Sequence, residues 1–187
     1  ETESNHTNTV IAGMKIKPVK NWVIFWDIER GDADNVFTRL ENYKFTNFRV
    51  RSRLTLKTIG FNFSAITKDN SNPSFSIVAP TAPDLTTNIK TRMFSGSVDW
   101  NPMSILSVSG GYNYTHLTSY TPIIVPAGGY FNGFSQFFAR DHYAFLDVSV
   151  KPVKRVSLYG SYRISRDLGQ GNRFSTVVQN IIGSYPM

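Results

Sequence analysis

Cysteine is absent from the chain, which removes disulfide scaffolds and thiolate metal sites together. Charge is sparse as well: only 18 % of the 187 residues are Asp, Glu, Lys or Arg. A disordered chain would be richer in charge and poorer in aromatics, so disorder is excluded. No apolar run reaches the roughly 18 residues that a membrane-spanning helix requires. The opening residues, Glu1-Thr2-Glu3-Ser4-Asn5-His6, lack the basic and apolar regions of a signal peptide. The three histidines, His6, His116 and His142, form no His-x-x-x-His pair, so a zinc site is not expected. Glycine-rich phosphate loops and a Gly-x-Ser-x-Gly elbow are missing, and no cofactor and no catalytic residue is expected. Asp141-His142 offers an acid–base pair, yet no nucleophile stands at a recognisable spacing.

What the chain does have is alternation. Aromatics are plentiful, with 14 Phe, 9 Tyr and 3 Trp, and apolar residues recur with period two in about eight segments. Trp22, Ile24, Trp26 and Ile28 share one face of a strand, with Asp27 and Glu29 on the other. Phe48, Val50, Leu54 and Leu56 oppose Arg49, Arg51, Arg53 and Thr55. Similar segments start near Val10, Ile59, Phe94, Leu106, Ala144 and Val156. Each is about 9–12 residues long, beyond the usual five or six of a soluble sheet and suited to a tilted membrane-spanning strand. Tight turns are expected near 17–20, 56–59, 101–104 and 151–154, and long polar loops over 30–42, 68–88 and 116–141. Short turns on one side and long loops on the other are the layout of an outer-membrane barrel. The expected fold is therefore all-β, an antiparallel up-and-down transmembrane barrel in a single domain spanning 1–187.

Alternation by itself does not say which face meets water, so aromatic and small residues carry the next step. Trp22 and Trp100 stand near the tight turns; Tyr43, Tyr112, Tyr114 and Tyr162 lie toward the long-loop ends. Two such belts on the apolar face match girdles at lipid headgroup level. On the opposite face, Ser95, Ser97, Ser107, Ser109, Ser149, Ser157 and Ser161 suit a hydrated lumen better than a soluble surface, where Lys and Glu prevail.

A repeated hairpin points the same way. Met14-Lys15-Ile16-Lys17-Pro18-Val19-Lys20 and Val148-Ser149-Val150-Lys151-Pro152-Val153-Lys154 share a strand and a Lys-Pro-Val-Lys turn. Val98-Asp99-Trp100-Asn101-Pro102-Met103, running on to Gly110-Gly111-Tyr112, is a looser copy. This strand, proline turn and strand ending in Gly-x-Tyr resembles the barrel portion of large Gram-negative outer-membrane proteins, as in TonB-dependent receptors and porin–cytochrome conduits. The resemblance implies a location in the bacterial outer membrane, with its lipid and lipopolysaccharide as partners. Other barrel segments or subunits of an envelope complex are implied as further partners. No plug domain, TonB box or cysteine-bearing N-terminus accompanies it. The ending Tyr185-Pro186-Met187 lacks the usual terminal aromatic, so a segment of a larger barrel is expected.

The candidate functional residues are basic. Arg49, Arg51 and Arg53 alternate on one strand, which sets three guanidinium groups on one side about 7 Å apart. Facing a lumen, with Lys15, Lys17 and Arg163 extending the field, they make an anion-selecting ladder. Asp27, Glu29, Asp99 and Asp147 are the carboxylates available to neutralise it. Asp27, Glu29, Asp32 and Asp34 form a candidate Ca²⁺ group by oxygen density, without EF-hand spacing; Arg30-Gly31-Asp32 reads as a turn. Basic residues interleaved with Tyr43, Phe45 and Phe48 imitate a nucleic-acid platform, but an OB barrel has five shorter strands, so no nucleic acid is expected. The expected function is a pore or transport channel with a mildly basic lumen. The alternatives are a structural sleeve that holds another protein and a soluble β-sandwich or barrel that binds a ligand through its loops.

Overall fold

The computed structural model describes residues 5–33, 42–72, 86–126, 130–153, 155–175 and 185–186. Those residues form a single antiparallel sheet in strict up-and-down order. Its strands are β1 (Thr7–Val19), β2 (Trp22–Ala33), β3 (Lys44–Thr55), β4 (Ile59–Asn72), β5 (Thr87–Met103), β6 (Leu106–Pro126), β7 (Tyr130–Val153), β8 (Val156–Ser175) and the two-residue β9 (Tyr185–Pro186). Among the described residues the sheet is open: β1 pairs with β2 alone, and β8 lies between β7 and β9.

Three of the short connections use one device. The ladder register shifts between Ile16 and Val19, between Trp100 and Met103, and between Val150 and Val153. Each gap brackets a proline (Pro18, Pro102, Pro152), which has no N–H to give to a ladder. An apolar pair then closes each hairpin: Val19 with Trp22, Met103 with Leu106, and Val153 with Val156. The fourth connection, Leu56 to Thr58, is held by the Leu56 amide donating to the Ile59 carbonyl at 2.7 Å.

On the other side the strands run further than the hydropathy pattern suggests. The span 116–141, expected as a polar loop, is instead paired strand from His116 opposite Arg140 up to Pro126 opposite Tyr130. Likewise β2 extends to Ala33, β4 to Asn72, and β5 begins at Thr87, inside the stretches read as loops. Residues 34–41 and 73–85 lie outside the described residues. Backbone pairing continues past the end of the apolar stripe because ladder hydrogen bonds need no particular side chain. Arg30-Gly31-Asp32 lies within β2 and is no turn; the Phe45 ring lies over Gly31, where a Cβ would come within 2.6 Å of it.

No second layer covers this sheet among the described residues. Only Ala33 and Phe45 are buried hydrophobic residues there. The accessible surface is 13272 Å², against roughly 9,000 Å² for a compact soluble protein of this mass.

Candidate functional site

Register sorts every side chain onto one of two faces. On the first, the rows through Trp22, Ile24, Trp26 and Ile28 continue through Leu54, Ser52, Val50 and Phe48 of β3. They pass on to Phe61, Phe63 and Ala65 of β4, and to Phe94, Gly96 and Val98 of β5. This face is open to its surroundings: Phe63, Phe94, Leu146, Leu158 and Ile164 are between 43 % and 60 % exposed. Apolar side chains at the turns, Val19, Leu56, Met103, Ile105 and Val153, prolong it at the short-turn edge.

The apolar band has a defined height and slope. On β2 it covers Trp22 to Ile28, seven residues, or about 20 Å of strand. On β8 it covers Leu158 to Ile164, yet Ile28 shares its row with Leu168, four residues beyond Ile164. The band therefore slips four residues across six strand spacings. A rise of about 3.3 Å per residue against about 4.8 Å per strand makes a slope of about 25°. Strands that are tilted relative to a flat apolar zone require this kind of slip.

Of the girdle residues, Trp22, Trp100, Tyr112, Tyr114 and Tyr162 all stand on the apolar face. Trp22 Nε1–H donates to Ser52 Oγ at 2.9 Å, which satisfies the indole without water. Tyr112 lies in the row of Ile24, and Tyr114, Phe94 and His142 in the row of Trp26, well short of the long-loop ends of their strands; the Tyr112 hydroxyl and His142 Nδ1 are 2.5 Å apart. Tyr43 departs from the expectation. It precedes β3 at a position in phase with Phe45, which is buried on the other face. Tyr162 shares a row with Trp22, not a row nearer the loops, because the band slips toward the turns by β8.

The second face holds the basic ladder. Arg49, Arg51 and Arg53 pair across β2 with Asp27, Phe25 and Val23, and across β4 with Ile66, Ser64 and Asn62. Their environments differ from rung to rung. Asp27, 3 % exposed, accepts from Arg49 Nε at 2.5 Å and lies 3.9 Å from an Arg51 nitrogen. Glu29 is 3.4 Å from a second Arg49 nitrogen and accepts from the Asn47 amide at 3.1 Å. Gly13 stands opposite Asp27, where any side chain would meet the Asp27 Cβ at 2.8 Å. Arg49 is thus neutralised, while the Arg51 guanidinium lies 4.7 Å above the Phe25 ring with a side chain 60 % exposed. Arg53 is exposed and makes no ion pair among the described residues. Lys15 faces Phe25, and Arg163 pairs with Phe145, both on this face; Lys17 falls in the gap beside Pro18.

Asp99 and Asp147 do not reach the arginines. Asp99 accepts from Asn62 at 3.0 Å and from Ser109 at 2.6 Å, and Asp147 accepts from Ser161. A floor of small polar residues separates them from the ladder. Ser64, Ser95, Ser97 and Asn113 line a cavity of about 670 Å³ with Arg51, Arg53, Phe25 and Phe145. The Phe145 ring lies over Gly111, where an added Cβ would be 2.6 Å from it, an aromatic covering a strand glycine. Sequence reasoning placed the ladder but missed both aromatic supports, Phe25 and Phe145, because each acts across strands.

The calcium group does not assemble. Asp27 and Glu29 share the ladder face and are engaged by Arg49, while Asp32 alternates to the apolar side opposite Lys44; Asp34 lies outside the described residues. Among the described residues, no group of three or more acidic or histidine side chains is arranged to hold a metal. Asp141 and His142 fall on opposite faces, with Asp141 opposite Asp167 and His142 beside Tyr112, so they form no acid–base pair.

No family model matches the sequence, and no curated protein matches it. Among solved structures, similarity is found to an OmpT loop L8 deletion mutant, an outer membrane protein of Vibrio cholerae. The identity is 10 % and the TM-score 0.30, over 82 % of this chain and 62 % of that one. Outer-membrane expressed OmpT of Vibrio cholerae is similar at 11 % identity and a TM-score of 0.31, over 81 % of this chain and 54 % of that one. The chain thus spans less than two thirds of either protein.

Proposed function

We propose that the chain builds the wall of an outer-membrane β-barrel pore whose lumen favours anions. The observation that carries this reading is the pairing of two faces across one uncovered sheet. One face is an apolar band that slips with the strands; the other is small, polar and crossed by the arginine ladder. In lipid, every backbone polar group has to be paired within the protein, which a sheet achieves by closing on itself or on further strands. The edge at β1 and the edge formed by β8 with the short β9 are where that closure would occur. In water the same apolar face would be left unburied, and the soluble sandwich has no second layer among the described residues.

Anion preference arises from the imbalance along the ladder. Arg49 is cancelled by Asp27 and Glu29, so the positive field comes from Arg51, Arg53 and Lys15 on the β1–β3 side of the lumen face, while Arg163 on β8 stands among Asp99, Asp141, Asp147 and Asp167 of the same face. Rings and rows of basic side chains select anions by that field. Planar-bilayer recording tests the proposal. The expected result is conductance with an anion-weighted reversal potential that Arg51→Ala moves toward neutrality. A sleeve filled by another protein predicts no conductance in the same recording, and that outcome would replace the pore reading.

A further inference from the structure

The apolar face carries a second organised feature on its long-loop side, and its charge is unlike that of the band. Arg92 of β5 pairs with His116 of β6, which pairs with Arg140 of β7, so the three stand side by side in one outward row. Lys90 lies two residues further from the turns on β5, and Arg166 pairs with His142 on β8. The carboxylate on this face that meets the group is Asp69, 2.7 Å from Arg92. Arg92 Nη1 is also held by the Lys68 and Thr91 carbonyls at 3.2 and 3.1 Å, which orients its guanidinium. Asp141 and Asp167, the neighbouring acids in sequence, point to the opposite face. Four cations therefore face outward against one acid, at the upper margin of the apolar band.

Two rows below, past Phe94 and Tyr114, the band is hollow. Because Ser52, Gly96 and Gly110 occupy outward positions, their rows leave a groove of about 530 Å³ between Trp22, Phe61 and Tyr112. Gly96 lies four residues below Arg92 on the same strand, about 13 Å along it. A cationic row above an apolar groove, both on the same side of the sheet, has the two halves of a lipid site.

We infer that this surface binds one class of bilayer lipid: a lipid with a phosphate-bearing anionic headgroup. Its phosphates lie against Arg92, Arg140 and Arg166, and an acyl chain lies in the groove at Gly96. Guanidinium groups form charge-assisted, forked hydrogen bonds to phosphate oxygens. The inference rests on the membrane reading but not on the pore, and it makes the lipopolysaccharide partner suggested by the sequence specific to named residues.

The test reconstitutes the whole protein into vesicles and measures lipid retention by native mass spectrometry. The vesicles contain phosphatidylcholine mixed with either bis-phosphorylated lipid A or its dephosphorylated form. The expected result is selective retention of the phosphorylated lipid. Arg140→Gln and Arg166→Gln should each lower that retention about fivefold, as for the loss of one basic contact at a membrane surface, and Arg92→Lys should keep most of it. Gly96→Leu, which fills the groove, should lower retention without altering the charge. Equal retention of both lipids, or full competition by free inorganic phosphate with no effect of Gly96→Leu, would overturn the site while leaving the barrel standing. Failure of the protein to associate with vesicles of any composition would overturn the site together with the membrane reading.

Discussion

Replacing Asp27 by Asn removes one negative charge from the ladder and keeps its shape. Asp27 is buried, and its two oxygens face Arg49 at 2.5 Å and Arg51 at 3.9 Å, so the aspartate holds down the field of two rungs. Consider an ion that passes about 6 Å from the uncovered charge in water: the unscreened energy is about 0.7 kcal/mol. A Debye length of about 10 Å at 0.1 M salt reduces this to about 0.4 kcal/mol, about twofold in local concentration. Anions gain that factor and cations lose it, so the anion-to-cation ratio should rise about fourfold. At 1 M salt the same arithmetic leaves about 1.4-fold, and at 0.01 M about sevenfold. Reversal potentials in planar bilayers under a salt gradient measure the ratio directly. A ratio that stays constant, falls, or changes by the same factor at every salt concentration would refute the lumen assignment of Asp27 and Arg49.

Two further substitutions test the faces themselves. Val50→Arg places a charge on the outward row between Trp26 and Ala65, and in a bilayer it should cost about 2–4 kcal/mol in urea unfolding from vesicles; a neutral effect would argue for water on that face. Gly111→Val drives a side chain into the Phe145 ring and the Gly96 carbonyl, which should cost about 1–3 kcal/mol by the same assay, whereas Gly160→Val, with nothing within 4 Å, should change little.

Much of this arrangement was legible before any coordinates, and the reason is the period of two. Residues such as Trp22, Val50, Phe94 and Leu146 declare their face by position alone, since a strand has only two sides. Three things were not legible, each for a physical reason. The outer half of the β6–β7 hairpin reads as a loop because Pro122, Pro126 and adjacent apolar residues such as Phe137-Phe138 break the alternation there, while the pairing of His116 with Arg140 depends on backbone groups that no side-chain pattern reveals. The cancellation of Arg49 required the β2–β3 register, which alone decides whether Asp27 or Glu29 stands opposite it. The slip of the band, which puts Tyr162 in the row of Trp22, appears only when six registers are joined. The calcium group failed for a simpler reason: Asp27 and Asp32 differ by an odd number of residues, so alternation itself parts them.

The central claim is that the apolar face meets lipid, and the chain carries its own probes for it. All three tryptophans, Trp22, Trp26 and Trp100, stand on that face. Their fluorescence in vesicles should be quenched by lipids brominated along the acyl chain and shielded from aqueous acrylamide. Quenching by acrylamide with no response to brominated lipid would place this face in water and contradict the account.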